Sequence, residues 1–191
     1  MDRITKMDAP MTFPELMSAI RASYAAVLAR AVADSAPVLR EAAMRRADGS
    51  LALDGTPALP HRFDVLEADG DSRMVDAERQ LKFDSFTFDL NGMSVAVAPF
   101  TWDWLGIGID GNAAVASDVC AQWFLRWFDE QDEAAPAADG LHGVVHFMGD
   151  PVATASGIDL RIDLGSGPDE AVDDLLISLA HAGMLAVRLR G

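Results

Sequence analysis

Apolar residues Leu16, Ile20, Tyr24, Val27 and Ala31 recur at spacings of four, four, three and four, which predicts an amphipathic helix. Thr12-Phe13-Pro14-Glu15 ahead of them has the form of a capping box, with Thr12 as N-cap and Glu15 reaching back to it. Pro37 should break that helix, and Ser35 is placed to cap a second one running to about Arg46. Residues 47–60 hold Asp-Gly twice and Pro twice and read as turns around a short Leu51–Leu53 strand. They divide a helical arm (12–47) from the body (62–191).

The body alternates more sharply. Asn91-Gly92 meets the positive φ that both central positions of a type I′ turn demand. With the turn fixed there, Leu90 faces Met93, Phe88 faces Val95 and Phe86 faces Val97, all apolar on one side. Asp89 with Ser94 and Thr87 with Ala96 fall on the other side, and a one-residue slip would destroy the match. A β-hairpin over 83–98 follows. Beyond it, Trp104–Ile109 reads as a strand and 113–130 as a helix with Ala116, Cys120, Trp123, Phe124, Trp127 and Phe128 inward. After a linker at 134–140, Leu141–Met148 reads as a strand. Ile158, Leu160, Ile162 and Leu164 alternate with Asp159, Arg161 and Asp163, as in a half-exposed strand. Gly165–Pro168 leads into a helix that stops near Gly183, and Leu185, Val187 and Leu189 form a last strand. The expected class is α+β: a ferredoxin-like βαββαβ order over about 102–190, with the hairpin and the helical arm added.

Length and composition set bounds on this picture. A chain of 191 residues, half of them apolar, can bury a sizeable core, so a single domain over 12–191 is expected behind a disordered tail at 1–11. No run of about 18 apolar residues predicts a membrane span, and the N-terminal residues lack the apolar centre of a signal peptide. The single Cys120 precludes an intrachain disulfide and fits a reducing, cytoplasmic setting. Thirteen Arg against two Lys, with abundant Ala, suggests a GC-rich bacterial genome.

Charge narrows the function. Residues 1–62 carry net +1, and residues 63–191 carry net −16, with 23 acidic against 7 basic side chains. Such a body repels nucleic acid and anionic membrane and attracts a basic protein partner. The near-neutral stretch 14–46 is where a homo-oligomer would form.

Candidate chemistry is sparse. Glu67, Asp69, Asp71 and Glu78 stand at positions 1, 3, 5 and 12 of a calcium-loop spacing, but Ser72 takes the place of the required glycine and no helix leads in. His142 and His146 would lie about 13 Å apart along a strand, from a rise of roughly 3.3 Å per residue, too far to share one ion. Gly165-Ser166-Gly167-Pro168 lacks the Lys of a phosphate loop and is ringed by Asp163, Asp169 and Glu170. Cys120 sits on the apolar stripe of its helix, as a buried structural thiol would. No catalytic residue, cofactor or metal is expected on these grounds.

Two features point to binding. The acids Asp129, Glu130, Asp132 and Glu133 stand at a helix C-terminus against the helix dipole, where a partner-binding rim would account for them. Trp102 and Trp104, placed on one strand face beside Gly106 and Gly108, would form an aromatic platform, with Asp159, Arg161 and Asp163 as its polar neighbours. The leading expectation is a non-catalytic bacterial interaction module that binds a basic protein through an acidic face. In composition alone it is similar to immunity proteins that neutralise toxins. The alternative is a small-molecule-binding domain or enzyme working on the Trp102/Trp104/Arg161 face.

Overall fold

The capping box forms: the Thr12 amide and hydroxyl each donate to the Glu15 carboxylate at 2.8 Å, and α1 (Phe13–Asp34) starts there. This computed structural model describes residues 11–34, 39–55, 57–68 and 70–191. All of the expected tail but Met11, together with Ser35 and Pro37, lies outside them. Leu16, Met17, Ile20, Tyr24, Leu28 and Val32 are the buried side of α1, so the stripe continues from Tyr24 at spacings of four, with Val27 and Ala31 at its margin. Because alanine and few charges fill the rest, α1 is long and apolar enough to cross a membrane by length and composition, the one such helix among the described residues. Here its apolar side is packed inside the protein.

No helix occupies residues 39–46. Leu39–Arg40 is a strand, β1, and Ala43 and Arg45 bridge to Arg62 and Leu51. Helix propensity loses here to tertiary bonding, since Glu41 is fully buried with a left-handed φ of 46°. The segment continues through β2 (Leu53–Asp54) and β3 (Leu59–Pro60), which pair with each other. β4 (Val65–Leu66) pairs with both β1 and β5 (Ser72–Arg73). The calcium-loop spacing thus falls in a β-hairpin, with Asp69 outside the described residues.

The larger sheet is built from β6 (Phe86–Leu90), β7 (Met93–Val97), β8 (Leu105–Asp110), β10 (Val152–Ala153), β11 (Gly157–Asp163) and β12 (Ala186–Arg190), with β9 (Phe147–Met148) as a short addition on β11. The order is β10-β11-β8-β12-β7-β6. Neighbours are antiparallel except β12 and β7, which run parallel. The β6–β7 register matches the predicted one pair for pair, with Asn91 at φ 54° and Gly92 at φ 87°.

Two helices follow the expected positions. Asn112 caps α2 (Ala113–Phe128) by accepting from the Ala114 and Val115 amides, and α3 (Glu170–His181) precedes β12. Trp123 donates its indole N–H to the Ala171 carbonyl at 2.7 Å, tying the two helices together. One continuous cluster of buried apolar residues runs from α1 through the sheet to α2 and α3, giving a mixed α+β architecture with three helices among the described residues. The strand expected over 141–148 shrinks to Phe147–Met148. The amides of His142, Gly143 and Val144 are spent on side chains, donating to Glu41 Oε2 and to Ser166 Oγ, and so cannot form a strand ladder.

Candidate functional site

Four distant segments deliver a cluster of ionisable groups to the end of the sheet. His146 is completely buried between two buried carboxylates: Nε2 lies 2.7 Å from Glu41 Oε1, and Nδ1 lies 2.6 Å from Asp64 Oδ1. Asp163, the last residue of β11, brings one oxygen within 4.8 Å of ligand atoms on His146 and Asp64. Each group is held from behind. Asp64 Oδ2 accepts from the Val75 amide at 2.5 Å, Asp163 Oδ1 from the Gly165 amide at 2.8 Å, and Glu41 Oε2 from the His142 amide at 2.7 Å. The Ser166 hydroxyl also bonds to Glu41. Gly165, at φ 53°, is needed twice over: a Cβ there would run into the His146 ring.

The electrostatics follow from enclosure. Burial opposes a charge on His146, but its contacts with Asp64 and Glu41 outweigh that and raise it to about 10. Burial pushes Asp163 up to about 7, helped by the negative charge of Asp64 and Asp103 and opposed by His146. Burial also works against the Glu41 carboxylate, yet the bonds from His146, Ser166 and the His142 amide hold it below its ordinary value. Tyr24 from α1 buries its hydroxyl without a hydrogen-bond partner. Its pKa is raised first by burial and then by Asp163, Asp64, Asp103 and Glu41. A groove of about 600 Å³ reaches the outer side of Glu41 and Arg62, between Leu39, Phe63, Asp132 and His142. His146, Asp64 and Asp163 do not line it.

Arg62 closes the wall. Its guanidinium is buried, lies 4.5 Å over the Phe128 ring, and donates to the Phe128 carbonyl at 2.7 Å and the Glu41 carbonyl at 2.5 Å. It also bonds the Asp129 carbonyl and Asp132 Oδ1, the latter at 2.7 Å. A cation on the last carbonyls of α2 is what permits acids there.

The acidic run is therefore split. Asp129 caps α2 at φ 56° and accepts from the Glu133 and Ala134 amides, and Asp132 pairs with Arg62 and Arg45. Among the described residues the Glu130 and Glu133 carboxylates have no ion-pair partner. The two tryptophans are not on one face. A turn at Thr101–Trp104 buries Trp102 completely and leaves Trp104 49% exposed. Asp159 and Arg161 do share the outer sheet face, with Arg161 5.7 Å over the Trp104 ring, whereas Asp163 is buried. Gly106 and Gly108 make room for the chain's own side chains, since a Cβ would strike Arg161 at 2.9 Å and Asp159 at 2.6 Å. Cys120 is buried and its thiol is pushed up to about 12 by that burial.

The His142 backbone amide and the His146 ring bond the two oxygens of Glu41, while the His142 ring turns to the Ala134 carbonyl. Sequence reasoning missed Glu41 and Asp64 as partners of His146, and Tyr24 and Ser166 as members of the cluster around them, because no spacing links positions so far apart. The one local trace was Asp163, an acid closing an otherwise well-packed strand. No protein-family model, curated protein or solved structure matches this chain.

Proposed function

We propose that this protein is a non-catalytic, cytoplasmic bacterial interaction module, immunity-like in kind, that binds a basic partner protein through its acidic surface. The observation that carries this reading is the crowding of carboxylates on the first turn of α3. Asp173 has a raised pKa, from burial and from repulsion by Asp169 and Glu170. A cationic side chain would relieve that repulsion, and the long-range field of the acidic body would speed its approach. Glu130 and Glu133 extend the surface, while Asp129 and Asp132 serve the fold. The burial of His146, Asp64 and Asp163, none of which lines the groove beside Glu41, also favours binding over catalysis. The strand order β9-β11-β8-β12 with α2 and α3 fits a ferredoxin-like unit whose second strand is cut to two residues. Residues 14–46 remain the proposed surface for any self-association.

The test is retention of host proteins on the immobilised chain. A specific basic protein should bind at low salt and elute as salt rises. The double variants Glu170→Gln/Asp173→Asn and Glu130→Gln/Glu133→Gln should slow its association several-fold. Unchanged binding in both variants would sink the reading.

A second reading has its own observation. Arg161 stands over the half-exposed Trp104 with its buried Nη1 lacking a hydrogen-bond partner. A small carboxylate seated on the sheet face would meet both groups. Binding of such an anion should change tryptophan fluorescence in the parent chain and not in Arg161→Gln. A flat titration across small aromatic and aliphatic acids removes this alternative.

A further inference from the structure

We propose that Asp64, His146 and Asp163 bind a divalent transition-metal ion of the zinc class, which locks α1 and the 39–75 segment to the end of the sheet. Three observations converge on this assignment. First, each candidate ligand is held on one side and open on the other. His146 gives Nε2 to Glu41, Asp64 gives Oδ2 to the Val75 amide, and Asp163 gives Oδ1 to the Gly165 amide. A histidine backed by a carboxylate is the usual outer-shell support of a metal-bound imidazole. The inward atoms His146 Nδ1 and Asp64 Oδ1 lie 2.6 Å apart, yet neither makes an aligned hydrogen bond. Both residues bring a ligand atom within 4.8 Å of an Asp163 carboxylate oxygen.

Second, Tyr24 arrives from a different element and turns a fully buried, unpartnered hydroxyl toward the same carboxylates. An unmet buried hydroxyl is costly, and an ion close enough to be ligated by the Tyr24 oxygen would meet it.

Third, the charges need it. Glu41, Asp64 and Asp163 are buried around one imidazole, with Asp103 close by, and among the described residues no Arg or Lys pairs with Asp64 or Asp163. A dication taking the place of the His146 Nδ1 proton would counter the two aspartates and leave the Nε2 proton hydrogen-bonded to Glu41.

The donor set selects the ion. One imidazole nitrogen and carboxylate oxygens in a small closed site suit a four-coordinate ion such as zinc, whereas calcium takes six to eight oxygens and magnesium keeps several waters. A site whose three ligands are all buried is structural, and its ion enters as the chain folds.

The experiment starts from full-length protein purified without chelator. Elemental analysis should find about one zinc-class ion per chain. The protein is then unfolded with chelator and refolded with and without zinc. Zinc should raise the thermal midpoint by several degrees, and cobalt in its place should give the visible bands of a four-coordinate site. His146→Gln and Asp163→Asn should lose the bands, while His142→Ala keeps them. A metal-free preparation that refolds to the same midpoint with or without zinc, and shows no cobalt bands, overturns the proposal even if both variants fail to fold. Cobalt bands that persist in a folded His146→Gln variant overturn it too, since the ion would then sit elsewhere.

Discussion

Arg62 carries more of this structure than any other single side chain. It ends α2, braces the backbone at Glu41 and neutralises Asp132, all while nearly excluded from water. Truncation would take the guanidinium from the Phe128, Glu41 and Asp129 carbonyls and leave Asp132 with Arg45 as its one charged partner among the described residues. Losing one partner of a buried charged set costs roughly 3–5 kcal/mol. Arg62→Ala should therefore lower unfolding free energy in urea by about 3 kcal/mol or more. Arg62→Lys should recover little, because one ammonium cannot span four acceptors. A loss below about 1 kcal/mol in the alanine variant would show that these bonds are replaced by water at no net cost. Glu41, on the other side of the same wall, holds a left-handed backbone that costs on the order of 1–2 kcal/mol. Its two carboxylate oxygens and its carbonyl each hold a partner, which is what keeps it there.

The elements differ in how local their causes are. The β6–β7 hairpin rests on Asn91-Gly92 and on strict alternation, both contained in a dozen residues. Gly92→Ala, at φ 87°, should destabilise the fold by about 1 kcal/mol, read as a shift of the urea midpoint with an unchanged slope. Such self-contained signals made the hairpin and α1 legible from sequence. The segment 39–46 was not, since its Glu-Ala-Ala-Met-Arg-Arg composition favours a helix while its conformation is dictated by His146 and Arg62, residues 20 to 100 positions away. Residues 141–146 misled in the same way, because the amides of His142, Gly143 and Val144 bond to side chains of Glu41 and Ser166. In β11 the alternation was read correctly, yet Asp163 was assigned to the open face. It is in phase with Asp159 and Arg161, and β9 with His146 covers only that end of the strand. The Trp102–Trp104 pairing failed because a turn breaks the two-residue period between them.

At the scale of the whole molecule, charge and topology pull on different properties. Apart from the buried Glu41, Asp64 and Asp163, the acids whose burial is described lie at or near the surface, so they shape encounter with partners more than the fold itself. Topology has a temporal side. β12 lies between β8 and β7, and among the described residues it is the only strand joining the hairpin to the rest of the sheet. During synthesis, β6 and β7 are complete some ninety residues before that link exists. The hairpin must therefore wait with half-buried phenylalanines exposed, and the sheet closes only when residues 186–190 leave the ribosome. A nascent chain stalled before β12 would hold two unsealed sheet edges side by side, open to any passing strand.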